Sequence, residues 1–494
     1  MKKLLSVLLI ISLLLCTCSA FAESPGGTPP GNPPDGFDGS APPGDPPDGF
    51  DGSMPPGDPP DGSGSGTPPG KPPEGSGSGF GGGTPPGGRT SSFEYTGATE
   101  ILSAAEQAGE TYTSATADES ALLISTGDTV SVTDPTVTKT GNSDGGDNCN
   151  FYGLNAAVLV MGGTTTYLSG GTVDSSASGA NGVFCYGGNG GRNGADGDGT
   201  TLYITDTVIT TIGDGSGGIM TTGGGVTYAE NLTVTTSGRS SAAIRTDRGG
   251  GTVIADGGSY TSNGLGSPAV YSTADITVRN ATLVSTLSEG VCIEGKNSIT
   301  LESCDLTANN TQCNSNATFL DTIMIYQSMS GDADSGTSAF TMTGGSLTSL
   351  SGHMFHVTNT HAVITLSGVD LRNEGSDILL SVCDDGWNGA DNIAELVADA
   401  QALTGTLLVG DNAFLTVRLT NGSSFEGTVS GEIINARGTQ VSQETGTVSV
   451  FLDETSTWTL TADTRISSFS GSPENVISNG YTLYVDGTVL EGTK

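Results

Sequence analysis

A repeating order of side chains constrains this chain more than any single motif does. Segments beginning at positions 156, 182, 218, 242, 268, 291, 322, 353 and 378 open as AAVLV, GVFCY, GIMTT, AAIRT, PAVYS, VCIEG, TIMIY, HMFHV and ILLSV. Each has a small or apolar start and a large apolar third residue, and the starts lie 23 to 36 residues apart. After a Gly, Ser or Asn break most segments run into a second apolar-alternating stretch and then a third, as in TTTYLSGGTV, TLYITDTVI, ITVRNATLV and AFTMTGGSL. Short runs rich in Thr, Val and Ile, bounded by Gly and Asn, are strands and turns. A period of this length marks a structural repeat.

One such strand buries too little apolar surface to stand alone, but like residues stacked on like every ~4.8 Å make a continuous core. The spacing therefore predicts an all-β, right-handed, single-stranded parallel β-helix with three faces and about nine to eleven turns. A β-sandwich also has short alternating strands, but it would not keep the same side-chain order over nine segments. The pairs Gly170-Gly171, Gly257-Gly258 and Gly344-Gly345 recur at comparable places and mark turns with positive φ. Longer loops are expected at 186–199 and at about 309–338. The stacking predicts that Val158, Phe184, Met220, Ile244, Val270 and Ile293 line one interior file. Between 390 and 405, Asn392, Ile393, Leu396, Val397 and Ala400 fit an amphipathic helix, but Leu396, Ala398, Ala400 and Ala402 also fit one face of a strand. Neighbouring segments on both sides favour the strand.

The remaining organisation follows from composition. Lys2 and Lys3 precede an apolar run from Leu4 to Leu15, and Ala20-Phe21-Ala22 offers small residues at alternate positions, so 1–22 reads as a secretion signal. Cys16 and Cys18 follow Leu15 and Thr17, not the small residue of a lipobox. Residues 23–90 are a linker of Pro, Gly, Ser and Asp with little to bury, and 91–154 hold an N-terminal cap and the first turns. Residues 155–390 carry the central turns, and 391–494 the last turns and a cap in which Trp458, Phe469 and Tyr484 close the apolar column. No later run approaches the ~20 apolar residues of a membrane helix.

The formal charge is −37, and loss of Lys2 and Lys3 with the leader makes it two units more negative. Such acidity argues against nucleic acid and anionic lipid as partners. Six cysteines lie beyond the leader, Cys149, Cys185, Cys292, Cys304, Cys313 and Cys383; disulfides and buried thiols both fit, and no zinc spacing is present. Nothing in the sequence sets the oligomeric state.

The stretches NAAVLV (155–160), SGANGVFCYGGNGG (178–191), GDGSGGIMTTGGG (213–225), SSAAIRTDRGGGTV (240–253), SPAVYSTADITVRNATL (267–283) and NGYTLYVDG (479–487) resemble the adhesin-like right-handed β-helix proteins of bacteria and archaea. That group shares its architecture with autotransporter passengers and pectate-lyase-like helices, and LTNGSSFEGTVSG (419–431) and STWTLTADTRISSFSG (456–471) look like the closing turns of pertactin-type passengers. The resemblance implies a fold and a surface location, and no common catalytic set. The function expected is a secreted or cell-surface scaffold whose Thr-, Ser- and Asn-rich sides make weak multivalent contacts with glycans, matrix or cells.

A calcium-assisted polysaccharide lyase or glycoside hydrolase is the alternative. Its catalytic candidates are Arg245, Asp247 and Arg248 in AAIRTDRGGG, joined by Glu294; an exposed ion pair is the plainer reading of the first three. No cofactor is required, although Asp196 and Asp198, and Asp332 and Asp334, have the alternate-carboxylate spacing of a calcium loop. His353 and His356 are expected on opposite sides of a strand. Tyr271 and Trp387 could stack on sugars or simply pack.

Overall fold

The computed structural model describes residues 94–190, 196–387 and 391–494. The expected leader and linker, and the centre of the 186–199 loop, lie outside them. The described residues form a right-handed parallel β-helix with three faces. Its first sheet has 15 strands, its second 14 and its third 10, and within each the strands come from successive turns. The ten strands of the third sheet are ten complete three-sided turns, from Thr111–Ser114 to Asp370–Asn373. Beyond them the chain winds on two faces only.

Direct superposition of like residues makes the core. Along the first sheet Leu122, Val158, Val183, Ile219, Ile244, Val270, Val291, Ile323, Phe355 and Leu380 lie in one register file, and all belong to the main buried cluster. Of the six residues expected in that file, Val158, Ile244 and Val270 occupy it. Ile293 is interior but two places further along its strand, paired with Ser272. Phe184 and Met220 point to the other side, where they pack with Leu123 and Leu159. The expected register slips by one there because Val183–Tyr186 and Ile219–Thr222 are buried at every position, so alternation carries no information about which side faces in.

Turns between the second and third sheets use the left-handed region repeatedly. Gly170 and Gly171, Gly257 and Gly258, and Gly344 and Gly345 all have positive φ, and other turns place Asp206, Asn231, Asn280 or Ser303 there. A Cβ on Gly171 would approach the Pro135 carbonyl oxygen to 2.1 Å, because the windings lie one on another. At the corner between the third and first sheets an inward hydroxyl caps the next bend: Thr211 Oγ1 donates to the Ser216 carbonyl, Thr236 to Ser241 and Ser262 to Ser267, at 2.5 to 2.6 Å. Lys139 occupies the same file, fully buried, and donates to the Thr116 carbonyl at 2.6 Å.

Asn392–Asp399 is a strand, with Leu396 and Ala398 inside. Ala400 sits in a left-handed turn and Ala402 is exposed, so the inward face continues through Gln401 instead. Near the C-terminal end Trp458 is wholly buried and donates to the Gly427 carbonyl at 3.1 Å, and Phe469 packs partly against the core. Tyr484 turns outward under the Arg465 guanidinium. All six cysteines are free thiols. No helix among the described residues is long and apolar enough to cross a membrane.

Candidate functional site

The three sheets differ in what covers their outer sides. Strands of the second and third sheets alternate buried and accessible residues, as Thr201–Thr205 and Thr233–Thr236 do, so those sides face water. On the third, Thr210, Thr235 and Thr261 form a flat threonine ladder. On the second, Tyr167, Tyr203 and Tyr228 stack at 4.9 Å. The outer side of the first sheet is instead covered by inserted segments. Its outer file runs Phe184, Met220, Arg245, Tyr271, Cys292, Met324, His356, Ser381. A short helix, Asp147–Tyr152, accompanies the first part of that file and buries Phe151, whose carbonyl accepts from Thr222.

In the middle of this file lies a groove of about 410 Å³ lined by Arg239, Arg245, Tyr271, Glu289, Tyr326 and Trp387 among others, within the size range of small-ligand sites. Arg245 stands 5.3 Å from the Tyr271 ring centre, and the Tyr326 and Trp387 rings meet at 5.0 Å. Tyr271 and Tyr326 both donate to Glu294 Oε2, at 2.5 and 3.2 Å, while Ser328 and Ser330 hold Oε1. Burial, reinforced by the Glu294 charge, drives both phenol groups well above their ordinary pKa.

The four catalytic candidates thus come together, but with their charged groups engaged. Arg245 pairs with Asp247 at 2.6 Å and Arg248 pairs with Asp332 while stacking on Phe151. Glu294 is held by four hydroxyls. Burial pushes the Asp247 carboxyl up to about 6 even beside Arg245. Burial also works against the Arg245 charge, which Asp247 and Tyr271 outweigh. Beside the groove, Arg245 Nε and Trp387 Nε1 are closed off from water, and nothing among the described residues accepts from them.

The calcium candidates are spread out. Asp332 is taken by Arg248 and Asp334 by Lys296 at 3.0 Å. Asp198 accepts from the Thr200 amide and hydroxyl at 3.0 and 2.6 Å, and Asp196 is exposed. Among the described residues no three or more His, Cys, Asp or Glu side chains gather as a metal site.

His353 and His356 do not point apart as expected. Met354 and Phe355, adjacent in the strand His353–Thr358, both belong to the core, and both imidazoles lie on the outer side with Ser381. Each bonds Ser381 Oγ through Nδ1 at 2.8 Å, and His356 Nε2 lies 3.4 Å from Asp385. This Ser–His–Asp set is sealed: Ser381 and the His356 and Asp385 side chains are fully buried, with Phe319 stacked on His356 at 4.6 Å. Burial and the neighbouring His356 push His353 down to about 3, so at neutral pH it serves as an uncharged structural partner.

Sequence reasoning passed over Glu289, Asn310 and Asp321. The available signal was an acid two positions ahead of an apolar run, at Glu289 and again at Asp321. No family, curated protein or solved structure matches the chain.

Proposed function

We propose that this chain is a secreted or cell-surface, adhesin-like β-helix that binds glycans through the groove on its first sheet. The lining of that groove, with Tyr271, Tyr326 and Trp387 beside Arg239 and Arg245, carries this reading. Three aromatic rings and the neighbouring guanidinium groups suit a sugar ring with apolar faces and a rim of oxygen acceptors. The threonine and tyrosine ladders on the other sheets are flat and repetitive, which suits additional weak contacts along an extended polymer.

A groove bordered by acids and arginines also favours the alternative of a polysaccharide lyase or hydrolase, and one experiment separates the two. The chain is screened on a glycan array, and bound polysaccharides are then incubated with it, with and without calcium, and assayed for new reducing ends and unsaturated products. Retention without new ends supports the binding reading, with affinity falling tenfold or more in Trp387→Ala. Release of products establishes the enzyme instead. Failure to retain any glycan, or binding untouched by Trp387→Ala, removes the groove from the account.

A further inference from the structure

We propose that Glu289, Asn310 and Asp321 hold a calcium ion beneath the groove. The register that pairs Val291 with Ile323 sets positions 289 and 321 on adjacent windings. All three side chains are removed from water: Glu289 is 6 % exposed, Asn310 1 % and Asp321 1 %. No lysine, arginine or histidine lies within ion-pair distance of either carboxyl among the described residues.

Neither oxygen of Asp321 has a hydrogen-bond donor, and the Asn310 Oδ1 has none. The Asn310 side chain ties the three together, since its Nδ2 donates to the Asp321 carbonyl at 3.2 Å and it also bonds the Glu289 carboxyl. Ser288 supplies one further bond to Glu289. A buried carboxylate without a donor, as at Asp321, costs several kcal/mol, and Glu289, although it accepts from Asn310, Ser288 and its own amide, adds a second negative charge beside it. A shared proton would remove one charge but would still leave acceptor oxygens unmet; a cation answers both.

The donors are all oxygen, with no thiolate or imidazole among them, which selects a hard ion. Two carboxylates, one amide oxygen and water match the irregular six- to eight-fold shell of calcium better than the strict octahedron of magnesium. Glu289 lines the groove, so the ion has a path from solvent. The site is separate from Asp196, Asp198, Asp332 and Asp334, and it stands whether or not the groove takes a sugar.

The test uses the full chain freed of metal with EDTA. Calcium is titrated while thermal unfolding is followed, and terbium, a luminescent substitute for calcium, is titrated in parallel, excited through Tyr326 and Trp387. We expect one saturable site, a melting temperature that climbs with calcium, and at least a tenfold loss of affinity in Asp321→Asn. Glu289→Gln, which keeps shape and volume, serves if Asp321→Asn does not fold. Absence of saturable binding overturns the proposal. So does binding that is equal in wild type and variants, which would assign the ion to surface acids, and so does a melting temperature set by pH but indifferent to calcium, which would assign a shared proton.

Discussion

Gln401 lays its side-chain amide along the backbone of Val369, accepting from the Val369 N–H at 2.7 Å and donating to its carbonyl at 2.9 Å. It does so where the third sheet ends. Asp370–Asn373 is the last strand there, and the next winding passes from the second sheet straight to the first. A buried glutamine thereby satisfies backbone groups that another strand would otherwise have paired.

Replacing Gln401 with leucine keeps the volume and removes both bonds. With two buried backbone groups left unpaired, the variant should lose about 2 kcal/mol in urea unfolding. Hydrogen exchange at the Val369 amide should quicken more than at Val417, which lies in a paired interior strand. Equal protection at Val369 in both proteins would mean that water replaces the amide without cost.

Tyr203 is stacked between Tyr167 and Tyr228 with ring planes within 10° of parallel. Each such aromatic contact contributes ~1 kcal/mol beyond burial. Tyr203→Ala should therefore destabilise by about 2 kcal/mol and Tyr203→Phe hardly at all. A double-mutant cycle with Tyr167 would show coupling in the first case; additivity would mean the ladder is only a geometric consequence of stacking.

Burial pushes the Lys139 ammonium down to about 8, against the pull of Glu119 and Asp118. The folded chain then releases this proton more readily than the unfolded one. Its contribution to stability is present at high pH and is lost as pH falls from the ordinary lysine value through 8. Compared with Lys139→Met, the wild type should gain stability between pH 8 and about 10.5. A constant difference over that range, measured by chemical denaturation, would show that the buried site keeps its proton.

Asp247 behaves in the opposite sense. Its folded value of about 6 lies above the ordinary carboxylate value, so its contribution is complete below pH ~4 and is lost as pH rises through 6. The stability of wild type minus Asp247→Asn should fall by roughly 3 kcal/mol over that window. A difference that grows with pH would mean that attraction to Arg245 outweighs the desolvation of the acid.

At Trp387 and Tyr271 the sequence offered two isolated aromatics 116 positions apart; the fold sets both on one groove. Arg245, Asp247, Arg248 and Glu294 were recognisable as a charged set, but their pairing was not. Asp332 comes from an insertion 84 residues after Arg248, and no local pattern states where an insertion folds back. Strict strand alternation puts the two histidines on opposite sides, and the adjacent Met354 and Phe355, both turned into the core, break it.

The repeat by itself determined the coil: side chains of one kind recurring once per winding can share a core only if the windings are stacked, and that holds whatever the loops do. Which side of the first sheet each residue faces, and what covers it, was decided by tertiary structure alone. When a strand is buried on both sides its residues are apolar on both sides, so the pattern that distinguishes inside from outside disappears, and contacts from segments distant in the chain make the assignment.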